Sequence, residues 1–297
     1  GDETQADELG FRYLRRLNYD PREMANTFGT LGTVSSLAGG GRVPTWASTH
    51  PDPGDRKTRA EQRAATVPPD SLQRSAVNRD SYLREIDGLV FGVNPRQGYF
   101  EGSRFLHPDL RFRIDFPAGW KTQNQAHAVT GVSPGNDAII QLSAGGAQSI
   151  DVLMQEFARQ DGVQAGSVER ITVNGLPAVT AQFQAQDDQG NRLAGRVQYL
   201  SYGGTSYQLL GYTPTARYVS YATLLASSMR SFAELSDPAA LNRQPVHLRL
   251  VRLARAMTIE EFHRQYPSTV RIEIIAAING VKAGQILPAG LVAKRVE

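Results

Sequence analysis

Cysteine is absent from the 297 residues, and so is any apolar run long enough to cross a membrane. Without thiols the chain forms neither disulfides nor a thiolate metal site, so composition leaves the cellular compartment open. A membrane-spanning helix needs about 20 consecutive apolar residues. The net charge is only +3, and no arginine-rich stretch is interleaved with aromatic residues, so nucleic acid is not an expected partner.

Paired histidines are also missing. The five histidines are scattered, and no two of them lie four residues apart. A His-Glu-x-x-His helix, which binds zinc through two histidines on one helix face, is therefore absent from these residues.

Two segments near the N-terminus carry the main functional signal. Glu3 and Asp7 lie in a Glu-x-x-Ala-Asp sequence within a helix predicted over residues 3–17. Because residues i and i+4 share a helix face, both carboxylates could point at the same metal. The second segment is a Ser-Thr-His-Pro loop containing His50, with Arg56 shortly after it.

In that order and spacing, the two segments resemble those of HtpX/BepA-like zinc metallopeptidases, which are gluzincins. The resemblance implies that Glu3 is the third zinc ligand and that Asp7 holds a ligating histidine. It implies that His50 lies near the metal as a catalytic residue and that Arg56 supports the active-site wall. It further implies that this chain is the C-terminal part of a peptidase, lacks the two histidine ligands, and by itself holds no zinc and is inactive.

The same residues have ordinary structural interpretations. Glu3 and Asp7 near a helix start can simply favour the helix dipole and face water. His50 can be a loop residue without a role, and Arg56 can be a structural ion-pair partner. The agreement of two segments in order favours the peptidase interpretation.

The whole chain is predicted to be an α+β, multidomain protein. Residues 1–66 would be the helical C-terminal part of the metallopeptidase domain, and residues 67–97 a connector with a short helix. Residues 98–235 are predicted to form an antiparallel sheet covered by helices. A linker over 236–245 leads to a small βααβ module over 246–297.

The middle region shows the period of β-strands. Phe112, Ile114 and Phe116 alternate on one strand face, and Asn174-Gly175 predicts a hairpin with a type I′ turn. With the Phe-Pro-Ala-Gly-Trp segment ending at Trp120, this element order resembles the PsbP-like fold. Trp120 and the tyrosines of the later strands would be core or a platform for a partner.

The C-terminal region is predicted to begin its first helix with a capping box of Thr258 and Glu261. A single last strand is predicted over 286–296. The Ile-Ala-Ala-Ile-Asn-Gly segment ending at Gly280 and the Ile-Leu-Pro-Ala-Gly segment ending at Gly290 resemble a LysM-like module. Such modules bind N-acetylglucosamine chains, so the resemblance implies peptidoglycan as a partner.

The sequence therefore predicts the C-terminal fragment of a zinc metalloendopeptidase that hydrolyses peptide bonds in misfolded cell-envelope proteins. The setting would be the bacterial cell envelope, either periplasmic or membrane-associated. The alternative function is a non-catalytic binding module, residues 98–297, that docks to peptidoglycan or a partner protein. The first helices are expected to expose an apolar face, and either to form a homodimer through it or to be disordered.

Overall fold

The computed structural model describes residues 2–37, 53–187 and 189–297. Helices and antiparallel sheets both contribute over these ranges, so the predicted α+β class is confirmed. The chain divides into two compact units, Gly1–Gly92 with Val246–Glu297, and Val93–Pro245. The five-part division predicted from the sequence stays a prediction.

Helices make up the N-terminal part of the first unit as far as the structure describes it. They are α1 (Asp2–Arg16), α2 (Arg22–Leu37), α3 (Pro53–Ala65), α4 (Pro69–Gln73) and α5 (Arg79–Ile86). Asn18 follows α1 in the left-handed conformation, with φ of 58°. Helices α2 and α3 pack together through Ala25, Phe28 and Ala60.

The apolar stripe of α1 is largely exposed in the described structure. Tyr13 is 56% exposed and Leu17 is 66% exposed, whereas Asp7 and Phe11 are the buried residues of this helix. An acidic residue thus lies on the buried side, because it has a cationic partner on another helix.

The second unit contains strands in two antiparallel sheets among the described residues. The small sheet has the order β1-β2-β3-β12, and these strands are Tyr99–Glu101, Arg104–His107, Phe112–Asp115 and Ala233–Glu234. The large sheet has the order β4-β5-β6-β11-β10-β9-β7, with β8 also pairing with β9. Its strands β4 to β11 are Lys121–Asn124, Val129–Val132, Ile139–Gly146, Val163–Ala165, Glu169–Val173, Leu176–Gln186, Arg192–Tyr202 and Thr205–Pro214.

Helices cover both faces of the large sheet. They are α6 (Ile150–Ala158) and α7 (Tyr218–Arg230), with the short α8 (Pro238–Leu241) after β12. Helix α6 packs on β9 and β10 through Met154 and Phe157. Helix α7 contributes Leu225 and Met229 to a second core that also holds Phe112, Ile114 and Phe116.

The predicted hairpin and core assignments are confirmed in this unit. Asn174 and Gly175 join β8 to β9 with φ values of 48° and 84°, as a type I′ turn requires. Trp120, Tyr199 and Tyr207 are buried, which confirms the core interpretation for these aromatic residues.

The C-terminal part of the first unit has the predicted βααβ order with one correction. Its elements are β13 (Leu248–Arg252), β14 (Met257–Thr258), α9 (Ile259–Gln265), α10 (Ile272–Ile278), β15 (Ile286–Leu287) and β16 (Val292–Val296). The capping box of Thr258 and Glu261 is present. The single strand predicted over 286–296 is wrong: β15 pairs with β14 and β16 pairs with β13, because the Pro-Ala-Gly turn between them redirects the chain.

Residues after α5 extend the edge of β13. Backbone hydrogen bonds join Gly88 and Leu89 to Leu248, and Phe91 to Val246. Ile86 and Phe91 pack against the apolar core of residues 246–297. The C-terminal part is thus built onto the segment that follows the N-terminal helices. Among the described helices, none combines the length and hydropathy required to cross a membrane.

Candidate functional site

Three of the four residues predicted for the peptidase site lie together. Arg56, in the first turn of α3, donates from Nε to Asp7 Oδ2 at 3.0 Å and from Nη2 to Asp7 Oδ1 at 2.6 Å. Its Nη1 lies 3.2 Å from Glu3 Oε2. We call Glu3, Asp7, Arg56 and the neighbouring Phe28 the Arg56 cluster.

Helix geometry explains why both carboxylates reach one guanidinium. Glu3 and Asp7 are four residues apart on α1 and therefore share a face. The guanidinium is planar and offers parallel N–H donors, which suits bidentate binding of a carboxylate such as Asp7. Arg56 consequently joins α3 to α1 at two points of the same helix face.

The ring of Phe28, on α2, packs against the guanidinium of Arg56. The guanidinium carbon of Arg56 lies 4.4 Å from the centre of the Phe28 ring, which is a cation–π distance. Phe28 itself is 7% exposed and packs against Ala25 and Ala60. Phe28 lies at helical spacing from Met24 and Leu31, which pack with it, but nothing local in the sequence indicates its contact with Arg56.

The cluster is shielded from water to different degrees. Asp7 is 6% exposed, whereas the side chains of Arg56 and Glu3 are 16% and 28% exposed. The hydrogen bonds that Arg56 donates to Asp7 raise the pKa of Arg56; desolvation acts in the opposite direction, and the charges of Asp7 and Glu3 add to the increase. Two carboxylates thus surround one guanidinium, and Glu3 lies at the more open end of the cluster.

The cluster does not make a zinc site by itself. A catalytic zinc ion takes three protein ligands and keeps one position open. Asp7 uses both carboxylate oxygens on Arg56, so this cluster supplies a single candidate ligand, Glu3. Across the described ranges no group of three or more His, Asp or Glu side chains is placed to hold a metal ion.

The fourth predicted residue, His50, lies in 38–52, outside the described residues. Its place near a metal therefore stays a prediction. The predicted contact of Asp7 with a ligating histidine also stays a prediction, since its partner in the described residues is Arg56. The geometry of Arg56 agrees with its interpretation as a structural ion-pair partner. It is also compatible with a role in supporting an active-site wall, because that role requires a side chain held in one position.

A second feature, not foreseen from the sequence, is a cavity of about 570 Å³ in the second unit. His107, Asp109, His127 and Tyr207 are among its lining residues. The Leu110 N–H donates to Nδ1 of His107 at 3.2 Å. Burial lowers the pKa of His107 below its ordinary value, with Arg96 acting in the same direction and Asp109 opposing it.

Several solved structures are similar to this chain at low identity. CyanoP, the PsbP of the cyanobacterium Synechocystis sp. PCC 6803, is 16% identical over 50% of this chain and 98% of its own, with a TM-score of 0.36. A protein of unknown function from Pseudomonas aeruginosa, PA94, is 19% identical over 42% and 92%, with a TM-score of 0.33. LpqN of Mycobacterium tuberculosis, involved in cell envelope biogenesis, is 12% identical over 53% and 96%, with a TM-score of 0.32.

At these scores the structural likenesses carry no argument about function, and the PsbP-like assignment stays a prediction. Among curated proteins no match is found. The model of Peptidase family M48 matches residues 1–64, the part of the chain that contains the Arg56 cluster. This match supports a metallopeptidase-family origin for the N-terminal part of the chain.

Proposed function

We propose that residues 1–64 are part of the catalytic domain of a zinc metalloendopeptidase, in which Glu3 is a metal ligand. The observation that carries the proposal is the position of Glu3 and Asp7 around Arg56, inside the segment that matches the peptidase family. A ligand carboxylate must be ionised and held in one rotamer. A neighbouring guanidinium favours both conditions.

Each residue of the Arg56 cluster would have its own role in the metal site. Asp7 fixes the guanidinium of Arg56 by two hydrogen bonds, and Arg56 in turn orients Glu3. Phe28 keeps water away from one face of the guanidinium. When bound, zinc supplies Lewis-acid activation of water for peptide hydrolysis. His50 would assist close to the metal.

The other two zinc ligands would come from a His-Glu-x-x-His segment, which the 297 residues do not contain. We therefore expect these residues to bind no zinc and to be inactive by themselves. The substrates would be proteins or peptides, including misfolded proteins, in the bacterial periplasm or at its membrane. The exposed stripe of α1, with Tyr13 and Leu17, would form a homodimer contact.

The test uses a version of the protein extended upstream through the expected His-Glu-x-x-His. Zinc content and casein cleavage are measured in this extended protein and in its variants. We expect Glu3→Gln to abolish stoichiometric zinc binding and casein cleavage in the extended protein. Glu8→Gln is the matched control, because Glu8 is an exposed carboxylate on the same helix. An extended protein without the motif, or full zinc content after Glu3→Gln, would refute the proposal.

The arrangement of residues 246–297 favours a second candidate function, a LysM-like module that binds peptidoglycan. Strand β13 pairs with β16, and α9 and α10 lie between them in sequence, as such a βααβ module requires. The test is co-sedimentation of the chain with purified peptidoglycan sacculi, with soluble N-acetylglucosamine oligomers as competitors. Protein that stays in the supernatant at low salt would count against this function.

A further inference from the structure

The C-terminal part of the first unit contacts the end of helix α2. Arg271, just before α10, donates from Nη2 to the carbonyl oxygen of Leu37 at 2.8 Å. Leu37 is the last residue of α2, and the final carbonyls of a helix have no partner within the helix. Helix α10 also packs against α2. Arg271 therefore caps α2 from a position 234 residues further along the chain.

Helix α2 has low intrinsic stability as a helix, so contacts from outside it contribute to holding it in place. Its sequence is rich in glycine, threonine and serine, which have low helix propensity. Four hydroxyls bond back to carbonyls four residues earlier, a pattern that weakens and bends helices; they belong to Thr27, Thr30, Thr33 and Ser36. The last turn of α2 has no basic residue, so Arg271 supplies the cation that the helix dipole favours there.

The same helix forms one wall of the Arg56 cluster. Phe28, under the guanidinium of Arg56, lies nine residues before Leu37 on α2. At 1.5 Å per residue, about 14 Å of helix separates the two contacts. If α2 moves as one rigid helix, a shift at its C-terminal end would also move Phe28 relative to Arg56.

Residues 246–297 are themselves firmly held. Arg79 at the start of α5 donates to the carbonyl oxygen of Val292 at 2.9 Å. His247 Nδ1 lies 2.8 Å from the Gly88 carbonyl oxygen, beside the backbone bonds between Leu248 and the segment after α5. The cap on α2 is thus presented by a part of the chain that is fixed to the first unit at several points.

We infer that residues 246–297 position the Arg56 cluster through α2, with Arg271 as the positioning residue. The role of the cluster in binding zinc rests on the proposed function. The coupling between Arg271 and the cluster rests only on the contacts described above. In the peptidase, any ligand that shifts residues 246–297 would change how Arg56 holds Glu3. The C-terminal module would then control the site in addition to any docking role.

The test uses Arg271→Ala in the whole chain, read by amide hydrogen exchange and by the NMR signal of the Arg56 Nε–H. Arg56 Nε donates this proton to Asp7 Oδ2, 3.0 Å away, so its signal reports the geometry of the cluster without zinc or substrate. We expect amides of 31–37 to exchange about five-fold faster, and the Arg56 signal to shift and exchange faster with water. Amides of the second unit serve as an internal reference.

Two further variants make the result specific. Arg264→Ala removes an exposed arginine of α9 in the same module and should leave both readouts unchanged. Arg271→Lys keeps the charge at the end of α2 and should restore part of the protection. If α2 exchanges faster but the Arg56 signal is unaltered, or if Arg264→Ala acts equally, the inference is wrong.

Failure of the inference can be told apart from failure of the proposed function. Loss of zinc binding after Glu3→Gln in the extended protein tests the metal ligand alone. The Arg56 Nε–H signal tests the coupling alone, since it is present whether or not the protein is a peptidase.

Discussion

Arg56 and Asp7, 49 residues apart in sequence, form a two-point ion pair that joins helix α3 to helix α1. Asp7 is among the few buried charged residues of the described structure. A buried carboxylate is stable only with such a partner. The ion pair therefore fixes which side of α1 faces the other helices, and it leaves the apolar stripe of Tyr13 and Leu17 on the outside.

Replacing Asp7 by asparagine should destabilise the first unit by about 2–3 kcal/mol, because the partly buried guanidinium of Arg56 loses its main partner. Glu3 remains near Arg56 and limits the loss. Hydrogen exchange of α1 and α3 amides measures the change without assuming that the whole chain unfolds in one step. Glu8→Gln on the exposed side should stay within about 0.5 kcal/mol of the original protein. Equal exchange in both variants would contradict this prediction.

Asn174 should stabilise the second unit both through its positive φ and through its side-chain hydrogen bonds. Its side chain donates to the carbonyl oxygens of Arg230 at 2.9 Å and Phe232 at 2.8 Å, which ties the hairpin to the end of α7. Asn174→Gly keeps the positive φ but removes both bonds, at a cost of about 1 kcal/mol. Asn174→Ala also strains the backbone and should cost about 1 kcal/mol more. Urea denaturation of the second unit distinguishes Asn174→Gly from Asn174→Ala. Equal midpoints for the two variants would show that the positive φ of Asn174 does not contribute to stability.

The pH dependence of the second unit should contain a contribution from His107. Burial lowers the pKa of this histidine in the folded state below its value of about 6.5 in the unfolded state. Well above pH 6.5 the ring is neutral in both states and has no effect on stability. As the pH falls below 6.5, the unfolded state binds the proton first, so stability decreases until the folded pKa is passed.

Comparing variants isolates this contribution from that of the carboxylates. His107→Gln should flatten the decrease in urea midpoint between pH 7.5 and pH 5.5, and the glutamine side chain can still accept from the Leu110 N–H. His127→Gln, at an exposed position of the same cavity, should retain the slope. An unchanged slope in His107→Gln would show that another group is responsible.

Local sequence signals predicted the elements well and their long-range contacts poorly. The Asn174-Gly175 turn, the capping box of Thr258 and the helical face around Phe28 follow from spacing within a few residues. The family resemblance assigns Glu3, Asp7 and Arg56 to one site but pairs Asp7 with a histidine, so the contact of Asp7 with Arg56 was not predicted, and periodicity alone cannot pair α1 with α3. The contact of Arg271 with Leu37 had no local signal at all, since a backbone carbonyl is the same at every residue.

Self-association through α1 is the remaining prediction, and it follows from exposed apolar area. Tyr13, Leu17 and Tyr19 are 56%, 66% and 37% exposed, and they line a groove of about 470 Å³ between α1 and α2. Large exposed apolar patches are uncommon on monomers. Light scattering after size-exclusion chromatography should give a dimer for the original chain and a monomer for Leu17→Glu. Val219→Glu, at an isolated valine that is 89% exposed, should remain dimeric, whereas a monomeric original chain would contradict the prediction.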